Sequence, residues 1–202
     1  MSLFVYPLGS LVVVRAAQGS PITFLQGHSN DVSCLCVSHD GRRLVSGQDS
    51  HQGVAADVIV WDLCAACEEA LAGETLSPDE KVMVHRLHQH KGSVRAVDIN
   101  STDELLATLG GRDANALVVW DLASGEAICG QPAAAENALA MRWLRQNPNR
   151  LVTCGCRHLR VWQVDVGLPK LHAMDAILGT LKRVMRCIAL SSDDSFAYVG
   201  TT

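Results

Sequence analysis

The chain has 202 residues, 48% of them hydrophobic and 19% charged, with 17 Lys and Arg against 21 Asp and Glu and a formal net charge of −4. That composition fits a packed globular fold and argues against disorder. Cations scattered through an acidic chain also argue against nucleic acid as a partner, because phosphate binding needs clustered Lys and Arg.

In chain order, Met1 to Pro7 has no basic region and no sustained apolar core, so it does not read as a secretory signal. The apolar run Leu11 to Val14 ends at Arg15, far short of the roughly 18 to 20 residues that a membrane-spanning helix needs, so no membrane partner is expected. Residues 4 to 15 supply two strands, and Gly27-His28 then opens a frame of His, polar residues and Val. The alternating run Val32 to Val37 follows, then a polar turn at Ser38-His39-Asp40-Gly41, then a second strand at Arg43 to Gly47. After an enlarged connection from Asp49 to Ala56 comes Val58-Ile59-Val60-Trp61-Asp62-Leu63. The segment from Cys64 to Val82 reads as an insertion, a surface loop between the third and fourth strands of one repeat.

The frame returns at Leu87 to Val94 with His90, followed by strands at Val94 to Ile99 and Leu105 to Leu109 and by the phrase Leu117-Val118-Val119-Trp120-Asp121-Leu122. A third copy has strands at Arg150 to Cys154 and the phrase Leu159-Arg160-Val161-Trp162-Gln163-Val164, without Gly-His. Trp120 and Trp162 are 42 residues apart, the spacing of a WD repeat of about 40 to 45 residues. The predicted fold is therefore an all-β WD-repeat β-propeller. Residues 1 to 202 give about four partial or whole four-stranded blades and start and stop in mid-blade, so a longer chain is expected.

In such blades a His bridges through a Ser or Thr hydroxyl to the Trp indole, and an Asp accepts from the His, so each buried polar group has a partner. This assigns His90, Thr108, Asp113 and Trp120 to one set, and His28, Ser46 and Trp61 to the other with Asp57 or Asp49 as the acid; Asp57 is carried forward. The third set keeps Thr153 and Trp162, with Arg157 where an acid belongs. Ser, His and Asp together also suggest a catalytic triad, but a catalytic site is normally a single constellation and these residues recur with the repeat. Cys64 and Cys67 with His85 have partial zinc spacing but lack a second Cys pair, so no metal, cofactor or small-molecule substrate is expected. Cys34 and Cys36, like Cys154 and Cys156, point in parallel from one strand and cannot easily reach disulfide geometry. The eight cysteines are expected as buried free thiols in a reducing compartment.

Other phrases are more particular: Tyr6-Pro7-Leu8-Gly9, Phe24 to His28, Ala56 to Asp62, Ala127 to Ala134, and Asp193 to Thr202. Together they resemble the cilia- and flagella-associated protein 52 family, double-propeller proteins of motile cilia, over the family's N-terminal third. The resemblance implies a non-enzymatic microtubule inner protein, held in the axonemal doublet lumen by tubulin and neighbouring inner proteins. It transfers no contact residues. The exposed loop residues Lys91, Arg112, Arg157 and His158 are the candidates for partner contact.

Overall fold

The computed structural model describes residues 3–18, 22–51, 54–71, 76–77, 79–134, 136–180 and 183–202. Its elements in chain order begin with β1 (Leu3–Leu8), β2 (Leu11–Ala16), β3 (Ile22–Leu25), β4 (Val32–Val37), β5 (Arg43–Gln48) and β6 (Ala55–Asp62). Next come α1 (Leu63–Leu71), β7 (Leu76–Ser77), α2 (Asp79–Val82), β8 (Met83–Lys91), β9 (Val94–Ile99), β10 (Leu105–Gly110), β11 (Ala116–Asp121) and β12 (Ala127–Pro132). The last are β13 (Ala138–Trp143), β14 (Arg150–Gly155), β15 (Leu159–Asp165), β16 (Lys170–Asp175), β17 (Met185–Leu190) and β18 (Ala197–Thr201).

Three blades have four strands each, β4-β5-β6-β8, β9-β10-β11-β12 and β13-β14-β15-β16, all antiparallel. The blade before them holds β1, β2 and β3, and the one after them holds β17 and β18. Among the described residues the array is thus three whole and two partial blades, where about four partial or whole ones were expected. We letter the strands of a blade a to d from the inside outward. The inner strands β4, β9, β13 and β17 pack side by side, as propeller geometry requires.

The sequence pattern explains the stacking. Successive side chains of a strand point to opposite sheet faces, so a blade between two neighbours must be apolar on both. In β6, Ile59 and Trp61 pack towards the first blade with Val12, Val14 and Leu25. Val58 and Val60 of the same strand pack towards the third blade with Val97, Ile99, Leu106 and Trp120. The third blade repeats the division, with Leu109, Leu117 and Val119 meeting Met141, Leu151 and Trp162 of the fourth. Val152 and Cys154 then meet Met185 and Ile188 of the fifth. In each case the Trp faces the preceding blade, and β5, β10 and β14 are buried almost throughout.

Between blades, turn side chains on the a–b end add polar ties. Asp103, in the left-handed conformation, accepts from the backbone N–H of His39 (2.8 Å) and Asp40 (2.9 Å). Asp194, also left-handed, does the same for Arg145 (3.0 Å) and Gln146 (2.7 Å). Asn100 donates to the Pro148 carbonyl at 3.1 Å.

The segment from Cys64 to Val82 lies between the third and fourth strands as predicted, but it is more than a surface loop. Asp62 caps α1 by accepting from the N–H of Cys64 (3.0 Å) and Ala65 (3.1 Å). In the next blade Asp121 occupies the same place and receives the Ser124 N–H at 2.7 Å in a tight turn, so the same local chemistry starts a helix in one repeat and a turn in the other. The helix buries Leu63, Ala66 and Ala70 on one face. Leu63, Ala66 and Val82 join the core that contains Trp61 and Leu25, and β7 pairs in parallel with β3 of the first blade. The insertion therefore clasps the outer edge of the neighbouring blade; Gly73 and Pro78, also read as loop, lie outside the described residues.

The clasp makes a prediction. Ala66→Leu, which overfills a fully buried position, should destabilise the chain by about 1 to 3 kcal/mol, while Cys64→Ser at an exposed position should leave the melting temperature unchanged. Equal melting temperatures for Ala66→Leu and the parent would show that the insertion contributes no packing.

Candidate functional site

The residues singled out by the sequence fall into two groups, the buried polar sets inside the blades and the loops on one face of the array. Inside the second blade, the Trp61 indole donates to Ser46 Oγ at 2.7 Å and His28 Nε2 lies 2.6 Å from the same oxygen. The remaining ring nitrogen of His28 meets Gln48 Oε1 at 3.1 Å, so the acceptor is a glutamine and not the expected Asp57. Asp57 is held elsewhere, by Arg86 at 2.6 Å and by His88 Nδ1 at 2.7 Å. Both partners come from β8, where His88 is its cross-strand neighbour. Asp49, the other acid considered, is in the exposed connection after β5. The missed residue had a readable signal: Gln48 follows Ser46 by two, so both side chains leave the same face of β5.

In the third blade, Trp120 donates to Thr108 Oγ1 at 2.9 Å, and His90 Nε2 is 2.7 Å from that oxygen. Asp113 does not complete this set. It is exposed in the b–c turn with its carboxylate beside Gly92, and among the described residues His90 Nδ1 has no partner. Burial alone pushes His90 down to about 4, and burial lowers His28 as well, against the opposing pull of its Gln48 hydrogen bond.

The fourth blade keeps only the shared step, Trp162 donating to Thr153 at 2.9 Å. By register, Ala134 stands where His28 and His90 stand in the preceding blades. The His158 ring fills the gap from the b–c turn. A Cβ on Gly155 would lie 2.7 Å from His158 Cε1, just as one on Gly110 would lie 2.8 Å from His90 Nδ1. Arg157 makes the inward turn possible by adopting a positive φ of 58°.

Of the candidate contact residues, Lys91, Arg112 and Arg157 are exposed while His158 is half-buried. All four lie on the end of the array formed by the d–a and b–c connections; the inserted helix is on the opposite end. Arg157 is paired with Glu136.

The eight cysteines are free thiols, but their burial is uneven: Cys154 is buried, Cys64 and Cys187 are exposed, and the rest are half-buried. Burial pushes Cys34 and Cys154 up to about 11 and Cys36 up to about 12. His85 is engaged by the Ala123 carbonyl, 2.9 Å from its Nε2. Among the described residues no three His, Cys, Asp or Glu side chains form a metal-binding group, and no helix is long and apolar enough to cross a membrane.

Blades of four antiparallel strands, stacked face to face and each pinned by a Trp–hydroxyl bond, define a WD-repeat β-propeller portion. The WD domain, G-beta repeat model matches residues 19–62 and 81–121. A chain in the crystal structure of the mitotic checkpoint complex superposes with a TM-score of 0.74 at 20% identity, covering 97% of this chain and 57% of that one, which reflects the shared fold. The particular likeness is to cilia- and flagella-associated protein 52. The Chlamydomonas reinhardtii protein is 43% identical over 98% of this chain, and the Homo sapiens protein is 36% identical over 98%. The chain spans about 30% of the length of each. The propeller and these relatives point to a scaffold family.

Two predictions follow the polar sets. Gln48→Ala strands the buried His28 ring and should cost about 1 to 3 kcal/mol, whereas Asp113→Ala at an exposed turn should stay within about 0.5 kcal/mol. The reverse order in denaturant titration would restore the acid to the set. The second concerns pH. A folded-state His90 value near 4 against 6.5 unfolded means that the unfolded chain binds more protons between those values. Stability from His90 is complete above pH 6.5 and is lost as pH falls towards 4, with His28 adding in the same direction. Melting temperature should decline over that window, and His90→Gln should flatten the decline; an unchanged slope in the variant would refute the assignment.

Proposed function

We propose that this chain is part of a non-enzymatic structural protein of motile cilia and flagella. In this reading it is a microtubule inner protein that binds tubulin and neighbouring proteins inside axonemal doublets. One observation carries the reading: similarity across nearly the whole chain to cilia- and flagella-associated protein 52 from both an alga and a mammal.

The physical features support a scaffold. Face-to-face blades give a stiff platform with loops on both ends, suited to many modest contacts spread over a wide surface. The His, Ser, Thr and Trp side chains whose types suggest catalysis are buried and occupied with one another. Lys91 and Arg112 are exposed without an ion pair among the described residues and are proposed as contacts; Arg157 and His158 are proposed as lesser ones, since one is paired and the other turned inward.

A tagged full-length protein expressed in flagellated cells should lie along the axoneme and stay with doublets through salt washes that strip outer-surface proteins. Recovery wholly in the soluble cytosolic fraction, with doublets lacking it, would sink this reading and leave a general WD-repeat adaptor.

A further inference from the structure

The cations of this acidic chain are not distributed evenly. Arg42, Arg43, Arg86, Arg142, Arg157 and Arg160 each lie against a carboxylate. Arg95, Arg186, Lys91, Arg112 and Arg183 are all exposed, and none has an ion-pair partner among the described residues. Strand topology puts these five on one end of the array. Lys91 and Arg183 belong to d–a connections and Arg112 to a b–c turn, while Arg95 and Arg186 are the second residues of the inner strands β9 and β17, which begin at that same end. The other cations without an ion pair among the described residues, Arg15, Arg145, Arg150 and Lys170, are spaced around the opposite end, among the acids of the a–b and c–d turns, and Arg150 donates to the neutral Gln163.

Arg95 and Arg186 hold equivalent registers one blade either side of β13. The pairs Val94 with Gly110, Ala138 with Gly155 and Met185 with Thr201 align the three inner strands, which puts Leu139 between the two arginines and no acid. Arg95 lines a cavity of about 280 Å³ between the inner strands, together with Arg142, which is paired with Asp98, and with side chains that include Cys34, Ala96, Ala140 and Cys187. Most carboxylates on this end are paired or lie away from the two arginines. Asp31 and Asp49 lie with the first two blades, Asp57 is held by Arg86 and His88, Glu136 is tied to Arg157 and Asp175 to Arg160, and Asp113 sits over the β8–β9 turn.

We propose that the third-to-fifth-blade sector of this face, centred on Arg95 at the inner cavity and on Arg186 at the equivalent register of β17, docks an acidic peptide segment of a partner protein. Unpaired guanidinium groups offer several fixed N–H donors each, the arrangement that suits carboxylates, and clustered arginines are a recurrent means of reading acidic motifs. The cavity beside Arg95, which Leu35, Leu139 and Ile188 also line, gives a neighbouring side chain of the segment a place to lodge. This rests on the protein-binding role proposed above and supplies the chemistry of one partner.

Titration of a fluorescein-labelled oligo-glutamate peptide with the chain tests it. The parent should bind, with affinity falling as salt is raised. The double variant Arg95→Ala/Arg186→Ala should weaken binding about tenfold or more at an unchanged melting temperature, because both side chains are exposed. Arg145→Ala/Lys170→Ala, which removes two unpaired cations from the opposite end, should change it by less than about twofold. Equal loss in the two variants, no binding by the parent, or equally tight binding of oligouridylate RNA or phosphatidylserine vesicles overturns the proposal. A protein that joins axonemes but ignores the peptide defeats this inference alone. One that binds the peptide through Arg95 and Arg186 yet stays out of axonemes defeats the ciliary reading alone.

Discussion

A tryptophan can be buried between two stacked sheets only if its indole N–H finds an acceptor there, since leaving that donor dry costs as much as a lost hydrogen bond. Three successive blades solve the problem alike: Trp61 donates to Ser46, Trp120 to Thr108 and Trp162 to Thr153. The hydroxyl comes from the strand next to the one carrying the Trp, so the bond fixes their register as well as satisfying the donor. With the register fixed, one alternating set of side chains faces each neighbouring blade, and the four interfaces of the arc follow from it.

What surrounds that bond is more tolerant. The second blade completes it with a histidine and a glutamine and the third with a histidine whose far nitrogen lacks a partner, while in the fourth a ring from a turn takes up the space with neither nitrogen hydrogen-bonded among the described residues. Gly110 and Gly155 leave room for the ring in the two blades where no side chain follows the hydroxyl strand to meet it. A scaffold can absorb such variation because each blade needs only enough internal polarity to orient its own Trp, and its neighbours supply the rest of the burial.

How far the sequence could be read depended on the range of the interaction. Strands, turns and the Trp–hydroxyl pairs were legible because periodicity and spacing encode them within a single repeat. Asp57 and Asp113 were misassigned because the choice among nearby acceptors is made by strand pairing and turn geometry: Asp57 is captured by Arg86 and His88 across β8, and Asp113 is turned outward over Gly92. The helix α1 was read as loop because Leu63, Ala66 and Ala70 present a short apolar stripe whose partner is in a different blade. The ties from Asp103 and Asp194 to neighbouring turns were also out of reach, since a polar turn shows nothing in sequence of the backbone it will cap in another repeat. The gathering of unpaired arginines at one end likewise depends on which cations find an acid after folding.

The clasp formed by α1 and β7 has a consequence for the order in which the chain can fold. Strand β3 ends the first blade at Leu25, yet its outer edge is covered by Leu76 and Ser77, some fifty residues later. During synthesis from the N-terminus, the first three strands emerge with an open hydrogen-bonding edge, the kind of template on which chains aggregate. That edge is closed only after β5 and β6 have been made and α1 has a Trp61 core to settle against. The nascent first blade thus stays exposed to misplaced strand pairing until the second blade exists to shield it.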